Sequence, residues 1–189
     1  MTSAIKTMRW FWLVGLILLL GCLLWLALVP TGRIIYQTDF KHRSYVFDKL
    51  LPSQRVVKVE LGQKIIAEPI YLTLYAPRPF TKAVLTIDFS DPPALVNLGV
   101  AHNKALWLYD FKTIYQSSVS YNQSAWQSLP NGDYQAQIEF DLSRAEYLNQ
   151  RYAFMLSAPN LSSHQTFIVK KIKFELSGSN FKQLIIDNL

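Results

Sequence analysis

The sequence contains one cysteine, seven glycines and three histidines, and each scarcity excludes a kind of site. The single cysteine, Cys22, has no partner within the chain, so residues beyond it carry no disulfide, thiolate nucleophile or cysteine-based metal site. His42, His102 and His164 lie far apart and lack His-x-x-x-His spacing, which predicts exposed loop histidines rather than a zinc site. No Gly-rich phosphate loop is present.

Catalytic patterns are absent as well. The sequence has no Gly-x-Ser-x-Gly element. Glu139 and Asp141 share one face of a predicted strand, but both fall on its water-facing side, whereas glycoside hydrolysis needs two carboxylates placed across a substrate. The sequence therefore predicts no enzyme, no catalytic residue, no metal site and no cofactor.

The charge is mildly basic, with 19 Lys and Arg against 13 Asp and Glu. The densest cluster is Lys170, Lys171 and Lys173, and its alternation with Phe174 and Leu176 indicates the water-facing side of a strand. Nucleic-acid binding needs a basic stripe with stacking aromatics or a recognisable module. We expect no nucleic-acid partner.

An uncharged run extends from Trp10 to Val29. A helix of about 20 residues is about 30 Å long, which matches the hydrocarbon core of a bilayer. Pro30 ends the run, and no small-residue cleavage site follows it. This pattern favours a retained anchor that contacts the bilayer through residues 10–29, over a cleaved signal peptide or a lipoprotein processed at Cys22.

The basic N-terminal tail sets the predicted orientation. Lys6 and Arg9 precede the run, and positive flanks stay on the cytoplasmic side. The expected organisation is a cytoplasmic tail (1–9), a transmembrane anchor (10–30), a stalk or first strand (31–54) and an extracytoplasmic β-sandwich domain (55–189). The predicted localisation is single-pass membrane.

Alternating apolar and polar residues predict strands through most of the remaining chain. The predicted strands are Arg55–Leu61, Ile70–Tyr75, Ala83–Phe89, Ala94–Val100, Ala105–Phe111, Tyr134–Phe140, Arg151–Ser157 and Thr166–Leu176. In the last strand the apolar parity changes at Lys170-Lys171, which indicates a β-bulge. Ser143 and Glu146 fit a capping box and predict a short helix over 144–149. Residues 44–51 fit either a helical turn or an extended stretch. Without long helical patterns between them, these strands predict an all-β, antiparallel sandwich.

The order of these features resembles a known family. The segments that carry the resemblance are Glu68–Tyr71, Pro77–Phe80, Val84–Phe89, Val96–Val100, Trp107–Phe111, Phe140–Leu142, Arg151–Phe154 and Ile172–Leu176. Over residues 65–177 the chain resembles the galactose-binding-like jelly-roll domains of membrane-anchored bacterial surface proteins. The resemblance implies a jelly roll of eight or nine strands whose relatives bind sugars or serve as structural modules. It carries over no binding residue, and Asp88 and Asp91 alone are too few for the calcium site of many relatives.

The best candidate for a ligand site is an aromatic cluster in residues 107–126, which is interspersed with Gln, Ser and Asn. Sugar rings stack on aromatic side chains, while their hydroxyls hydrogen-bond to amides. We expect Trp126, Tyr115, Tyr121 and Asn122 to bind the ligand from a loop, and Trp107, on a predicted strand, to lie in the core.

These observations predict a membrane-anchored, non-catalytic β-sandwich that binds a cell-envelope glycan. The alternative is a structural or assembly subunit that docks another membrane or surface protein through a sheet face. Asn122 and Asn160 both match the N-glycosylation sequon.

Overall fold

The computed structural model describes residues 2–28, 32–41, 44–47, 49–115, 124–159, 161 and 167–178. Within these ranges the chain forms a helix, α1, a short 3-10 helix and strands β1 to β13. The bounds are α1 Thr2–Leu28, β1 Ile34–Thr38, the 3-10 helix Ser53–Arg55, β2 Val56–Val59, β3 Gly62–Ile65, β4 Ile70–Tyr75, β5 Lys82–Ser90, β6 Leu95–Asn103, β7 Leu108–Tyr115, β8 Ser124–Ala125, β9 Gln127–Ser128, β10 Tyr134–Asp141, β11 Tyr147–Leu148, β12 Arg151–Ser157 and β13 Ile168–Ser177.

The strands form two sheets. Sheet 1 has the order β2-β3-β13-β5-β10-β9, and β1 pairs with residues 172–176 of β13. Sheet 2 has the order β11-β12-β6-β7-β8, and β4 pairs with β12. The described pairings are antiparallel except for the parallel pair β7–β8. The predicted all-β, antiparallel sandwich is confirmed.

The core lies between the inner faces of the two sheets. In β5, Leu85, Ile87 and Phe89 are buried while the residues between them are partly exposed, because successive side chains point to opposite faces of a strand. Phe154 of sheet 2 contacts Phe174 of sheet 1, with ring centroids 4.7 Å apart. The sandwich is thus closed by direct aromatic packing.

A buried tyrosine ties the edge of this core to the chain that precedes β5. The hydroxyl of Tyr152 accepts a hydrogen bond from the Phe80 N–H at 2.7 Å, and it donates to the Phe80 carbonyl oxygen at 3.2 Å. Because both residues are fully buried, this pairing satisfies a hydroxyl that would be costly to leave unbonded.

Most predicted strands are confirmed where their hydrophobic pattern is strong. The structure has the strands predicted at Ile70–Tyr75 and Arg151–Ser157 with the same bounds. The pairing of β13 with β5 shifts between Val169 and Lys171, so the predicted bulge is confirmed. Residues 44–47 and 49–51 take the extended alternative, since Phe47 and Leu51 bridge to β4.

Two local predictions are wrong. The predicted helix over 144–149 is a turn followed by β11, because Asp141 accepts the Ser143 N–H and Glu146 accepts the Lys104 N–H, which leaves no capping box. The predicted inward face of Arg55–Leu61 stays open to solvent: Val57 is 45 % exposed because β2 lies at a sheet edge and, among the described strands, pairs with β3 alone.

The predicted membrane anchor is also wrong. Among the described residues, no helix joins the length and the apolarity that crossing a bilayer requires. The single-pass localisation, with a cytoplasmic N-terminus, bilayer contact through residues 10–29 and an extracytoplasmic domain, therefore loses its basis. The division at residues 9, 30 and 54 stays a prediction.

Candidate functional site

The structure describes two of the four residues predicted to bind a ligand, Trp126 and Tyr115. Trp126 is only 6 % exposed and packs edge-on against Phe89, with ring centroids 5.6 Å apart and an interplanar angle of 88°. Tyr115 is half-buried at the end of β7, and Tyr121 and Asn122 lie outside the described residues. The predicted four-residue site therefore stays a prediction, with the Trp126 ring largely taken up by the core.

Trp107 has the opposite environment from the one predicted. Its side chain is 66 % exposed, so the prediction that it belongs to the core is wrong. The predicted strand 105–111 begins three residues later, because residues 104–107 form the turn between β6 and β7. The Trp107 N–H donates to the Lys104 carbonyl oxygen at 3.2 Å, and Trp107 adopts a positive φ of 55°. This turn lifts the indole out of the strand.

Trp107 belongs to a layer of four aromatic side chains that we call the aromatic face: Tyr71, Trp107, Tyr109 and Phe111. The ring centroids of Trp107 and Tyr71 are 5.8 Å apart, with an interplanar angle of 58°. Those of Tyr109 and Phe111 are 5.9 Å apart, with an angle of 33°. Both pairs join aromatic rings at the separations at which such rings attract each other.

The strand register places Tyr71, Tyr109 and Phe111 on the outer face of sheet 2. Tyr109 lies opposite Ala101, and Phe111 lies opposite Gly99. Met155 of β12 lies opposite both Gly99 and Tyr71, which connects the two ends of the layer across the sheet. The side chains of these strands that fill the core have the other parity, as Leu72 and Leu98 show.

A glycine makes room for one of the rings. A Cβ atom at Gly99 would lie 2.8 Å from both Cδ1 and Cε1 of Phe111, closer than carbon atoms can approach. The Phe111 ring therefore rests directly on the backbone of β6. Since Phe111 is still 44 % exposed, the opposite side of the layer faces solvent.

Tyr109 contributes the main polar group of this layer. Its hydroxyl oxygen is buried and has no hydrogen-bond partner within the described part of the chain. Burial raises the pKa of Tyr109, and the neighbouring Tyr71 and Glu146 raise it further. The phenol is therefore held neutral and available to donate or accept one hydrogen bond.

Polar side chains border the aromatic face. The Thr113 hydroxyl donates to Oδ1 of Asn97 at 2.7 Å across β7 and β6. The Ser157 hydroxyl donates to the Glu68 carboxylate at 2.6 Å beside β12. The outer side of sheet 2 thus combines exposed rings with hydroxyl, amide and carboxylate groups.

The part of the chain that the structure describes contains no candidate site for a metal ion. No three His, Cys, Asp or Glu side chains there are grouped closely enough to hold an ion.

The aromatic face carries a signal that the sequence analysis did not use. Tyr109 and Phe111 are spaced two residues apart, and this spacing places side chains on one face of a strand, while Trp107 lies in the turn just before that strand. The contribution of Tyr71 comes from a strand 36 positions earlier along the sequence, and only the sheet pairing brings it to the layer.

Comparisons with known proteins return distant structural likenesses. No family model and no curated protein matches the sequence. The chain is similar to a xylan-binding module, CBM15, with 13% sequence identity and a TM-score of 0.46 over 78% of this chain and 99% of the module. It is also similar to a peanut lectin solved with a nine-residue peptide, with 11% identity and a TM-score of 0.42 over 77% of this chain and 98% of the lectin. Likenesses of this strength carry no functional argument, so the interpretation of the aromatic face rests on its own geometry.

Proposed function

We propose that the chain is a non-catalytic glycan-binding module whose ligand stacks on the aromatic face. The observation that carries this proposal is the exposed indole of Trp107, which contacts Tyr71 on a sheet surface that also presents Tyr109 and Phe111. A sugar ring has C–H faces that pack on aromatic rings and hydroxyls that need hydrogen-bond partners. Concave or flat apolar surfaces with a few placed polar groups are the usual form of such sites.

The polar groups around the rings support a sugar rather than a purely apolar ligand. The Tyr109 hydroxyl, which is buried and has no partner within the residues that the structure describes, carries a desolvation cost that a ligand hydroxyl would relieve. Asn97 and Thr113 offer further hydrogen-bonding groups along β6 and β7. This proposal keeps a cell-envelope glycan as the ligand and replaces Trp126 with Trp107 as the main contact residue.

We also propose that the two sheets are connected as a jelly roll, as the sequence predicts. Along the chain, β4 lies in sheet 2, β5 in sheet 1, β6 and β7 in sheet 2, β9 and β10 in sheet 1, β12 in sheet 2 and β13 in sheet 1. Repeated crossing between two antiparallel sheets is typical of jelly rolls. This connectivity supports the resemblance to galactose-binding-like domains.

The test is affinity electrophoresis of the full chain through gels that contain soluble neutral polysaccharides: xylan, mixed-linkage β-glucan or galactomannan. We expect retardation in at least one gel and its loss in Trp107→Ala, because the exposed indole supplies most of the stacking surface. Trp107→Phe keeps a ring at this position and should restore part of the retardation.

The matched control is Ile35→Ala, which removes a side chain of 51 % exposure from the outer side of the opposite sheet. Its mobility should equal that of the unaltered chain in each gel. The proposal is refuted if no polysaccharide retards the chain, or if Trp107→Ala is retarded as strongly as the unaltered chain while both give the same circular dichroism.

A second candidate function, docking of another protein, has one specific observation in its favour. Leu106 and Leu108 flank Trp107 and are 66 % and 54 % exposed, so the tip of the β6–β7 turn is more apolar than a sugar requires. Exposed apolar patches of this kind also mark protein interaction sites. Retardation that survives the double substitution Leu106→Ser/Leu108→Ser and is lost in Trp107→Ala favours the glycan.

A further inference from the structure

The outer side of sheet 1 contains a depression of about 270 Å³ that we call the polar groove. Its lining residues are Gln37, Thr86, Asp88, Gln135, Gln137, Lys171 and Lys173. It lies on the opposite side of the core from the aromatic face, and its lining contains no aromatic or aliphatic residue. A ligand held here must be polar over its whole surface.

The strand register arranges the groove in two rows. Gln37, Lys173, Thr86 and Gln137 lie side by side across β1, β13, β5 and β10. Lys171, Asp88 and Gln135 form the neighbouring row. The bulge between Val169 and Lys171 changes which side chains of β13 face outward. After it, Lys171 and Lys173 point to the outer side of the sheet.

The groove has an excess of unpaired positive charge. The other acidic residues near it are already engaged: Arg33 pairs with Glu175, and Lys82 pairs with Glu139 at 2.7 Å. The Asp88 carboxylate accepts a hydrogen bond from the Gln135 amide at 2.7 Å and keeps its negative charge, so the two lysines and Asp88 give the lining a net charge of +1. Within the described residues, neither Lys171 nor Lys173 has an ion-pair partner, although both are partly buried.

Amides and a hydroxyl surround these two cations. Gln37, Gln137 and Thr86 lie in the same row as Lys173 and can donate or accept hydrogen bonds. Lys171 and Lys173 are two positions apart on one strand face, so their backbone positions are about 7 Å apart. This spacing allows both ammonium groups to approach a single anionic sugar.

We infer that the polar groove binds an anionic sugar residue, with Lys171 and Lys173 holding its carboxylate and the amides of Gln37 and Gln137 holding its hydroxyls. This inference goes beyond the proposed function: it concerns a second site, on the other sheet, with a ligand of different charge. Charge-assisted hydrogen bonds to a carboxylate are stronger than those between neutral groups, which gives the groove its preference for an acidic sugar.

Isothermal titration of the full chain with trigalacturonate tests the inference. We expect saturable binding that weakens as the NaCl concentration rises, because salt screens exposed charges. The double variant Lys171→Gln/Lys173→Gln should bind at least tenfold more weakly. Thr86→Tyr, which fills the groove without changing its charge, should lose binding to a similar degree.

Two controls separate this site from general attraction and from the aromatic face. Lys58→Gln/Lys64→Gln removes the same charge from β2 and β3 of the same sheet, outside the groove, and should bind as the unaltered chain does. Trp107→Ala should also leave trigalacturonate binding unchanged, so that failure of one site is distinguishable from failure of the other.

Three results would overturn the inference. The first is equal loss of binding in the Lys58/Lys64 and Lys171/Lys173 variants, which indicates attraction without a site. The second is equal affinity for trigalacturonate and the neutral galactose trisaccharide. The third is binding of inorganic sulfate alone with the affinity of trigalacturonate, which indicates a simple anion site.

Discussion

At the scale of single residues, Tyr109 illustrates how burial and neighbouring groups change the pKa of a side chain. Its hydroxyl is buried in the aromatic face without a hydrogen-bond partner among the described residues, and burial together with Tyr71 and Glu146 raises its pKa. Burial and the neighbouring Tyr75 likewise raise the pKa of Tyr36 on β1. In both residues the folded state binds the phenolic proton more tightly than the unfolded state does.

This difference predicts how stability depends on pH. Below the ordinary tyrosine pKa of 10.0, the contribution of these protonated tyrosines to the free energy of unfolding is fully present. As the pH rises above this value, the unfolded chain loses its proton first, so the free energy of unfolding falls until the folded-state pKa is passed. Tyr109→Phe should make this alkaline decline shallower. Urea unfolding between pH 8 and pH 11 measures it.

The same variant should not destabilise the protein at neutral pH. Because the hydroxyl has no hydrogen-bond partner in the described part of the chain, its removal relieves a desolvation cost, and we expect the free energy of unfolding to stay equal or rise by about 1 kcal/mol. The control is Tyr45→Phe, whose side chain is 96 % exposed and which should leave the alkaline decline unchanged. A loss of more than about 1 kcal/mol in Tyr109→Phe at pH 7 would show that the hydroxyl has a structural partner.

At the scale of elements, the bulge in β13 gives three neighbouring lysines different roles. Lys170 is the extra residue, and its Nζ atom lies 2.6 Å from Oδ1 of the buried Asp133 in the turn before β10. Asn131 donates a second hydrogen bond to the same carboxylate at 2.7 Å. Lys171 and Lys173 point instead to the polar groove. One inserted residue thus separates a structural lysine from two available ones.

Adjacent substitutions test this division. Lys170→Met should lower the free energy of unfolding by about 2 kcal/mol, because it leaves the Asp133 charge buried with only the Asn131 amide as a partner. Lys171→Met, one residue further on, should change it by less than about 0.5 kcal/mol. Chemical denaturation at pH 7 gives both values, and equal effects at the two positions would contradict the assigned roles.

At the scale of the whole molecule, the sandwich separates the two candidate surfaces by its core. The aromatic face covers the outer side of sheet 2, and the polar groove lies on the outer side of sheet 1. Two packed sheets are about 10 Å apart, and residues at such distances with no shared partner rarely influence each other. The fold therefore presents a stacking surface and a charged surface independently.

A double-mutant cycle measures that independence. The effects of Trp107→Ala and Lys171→Gln/Lys173→Gln on the free energy of unfolding should add to within about 0.5 kcal/mol. The lysine variant should also keep the neutral-polysaccharide retardation of the unaltered chain. A coupling energy above about 1 kcal/mol would show that the core transmits strain between the sheets.

Local pattern predicted the fold class but not which tryptophan is buried, and the reason is identifiable. The strands predicted most accurately, such as Ile70–Tyr75, alternate apolar and polar residues, and this alternation directly reflects which face is buried. Trp107 and Trp126 have no comparable signal. Trp107 follows apolar neighbours yet lies in a turn with a positive φ, whereas Trp126 lies in a mostly polar segment yet packs on Phe89.

The capping box at Ser143 failed for a related reason. Its Glu146 carboxylate instead accepts a hydrogen bond from the Lys104 N–H. That group lies 42 positions earlier, and only the folded sheet brings it near. A helix signal of four residues is worth about 1 kcal/mol, which a tertiary hydrogen bond and the pairing of β11 with β12 outweigh.

The sequence by itself determined the all-β sandwich, the inward residues of its central strands and the bulge at Lys170, because each follows from the parity of neighbouring side chains. Tertiary structure alone decided which aromatic residues are exposed and which polar residues share a groove. Tyr71 reaches Trp107, and Gln37 reaches Gln137, only through pairing between strands distant in sequence. Parity fixes the face on which a side chain lies, but the strand order fixes its neighbours.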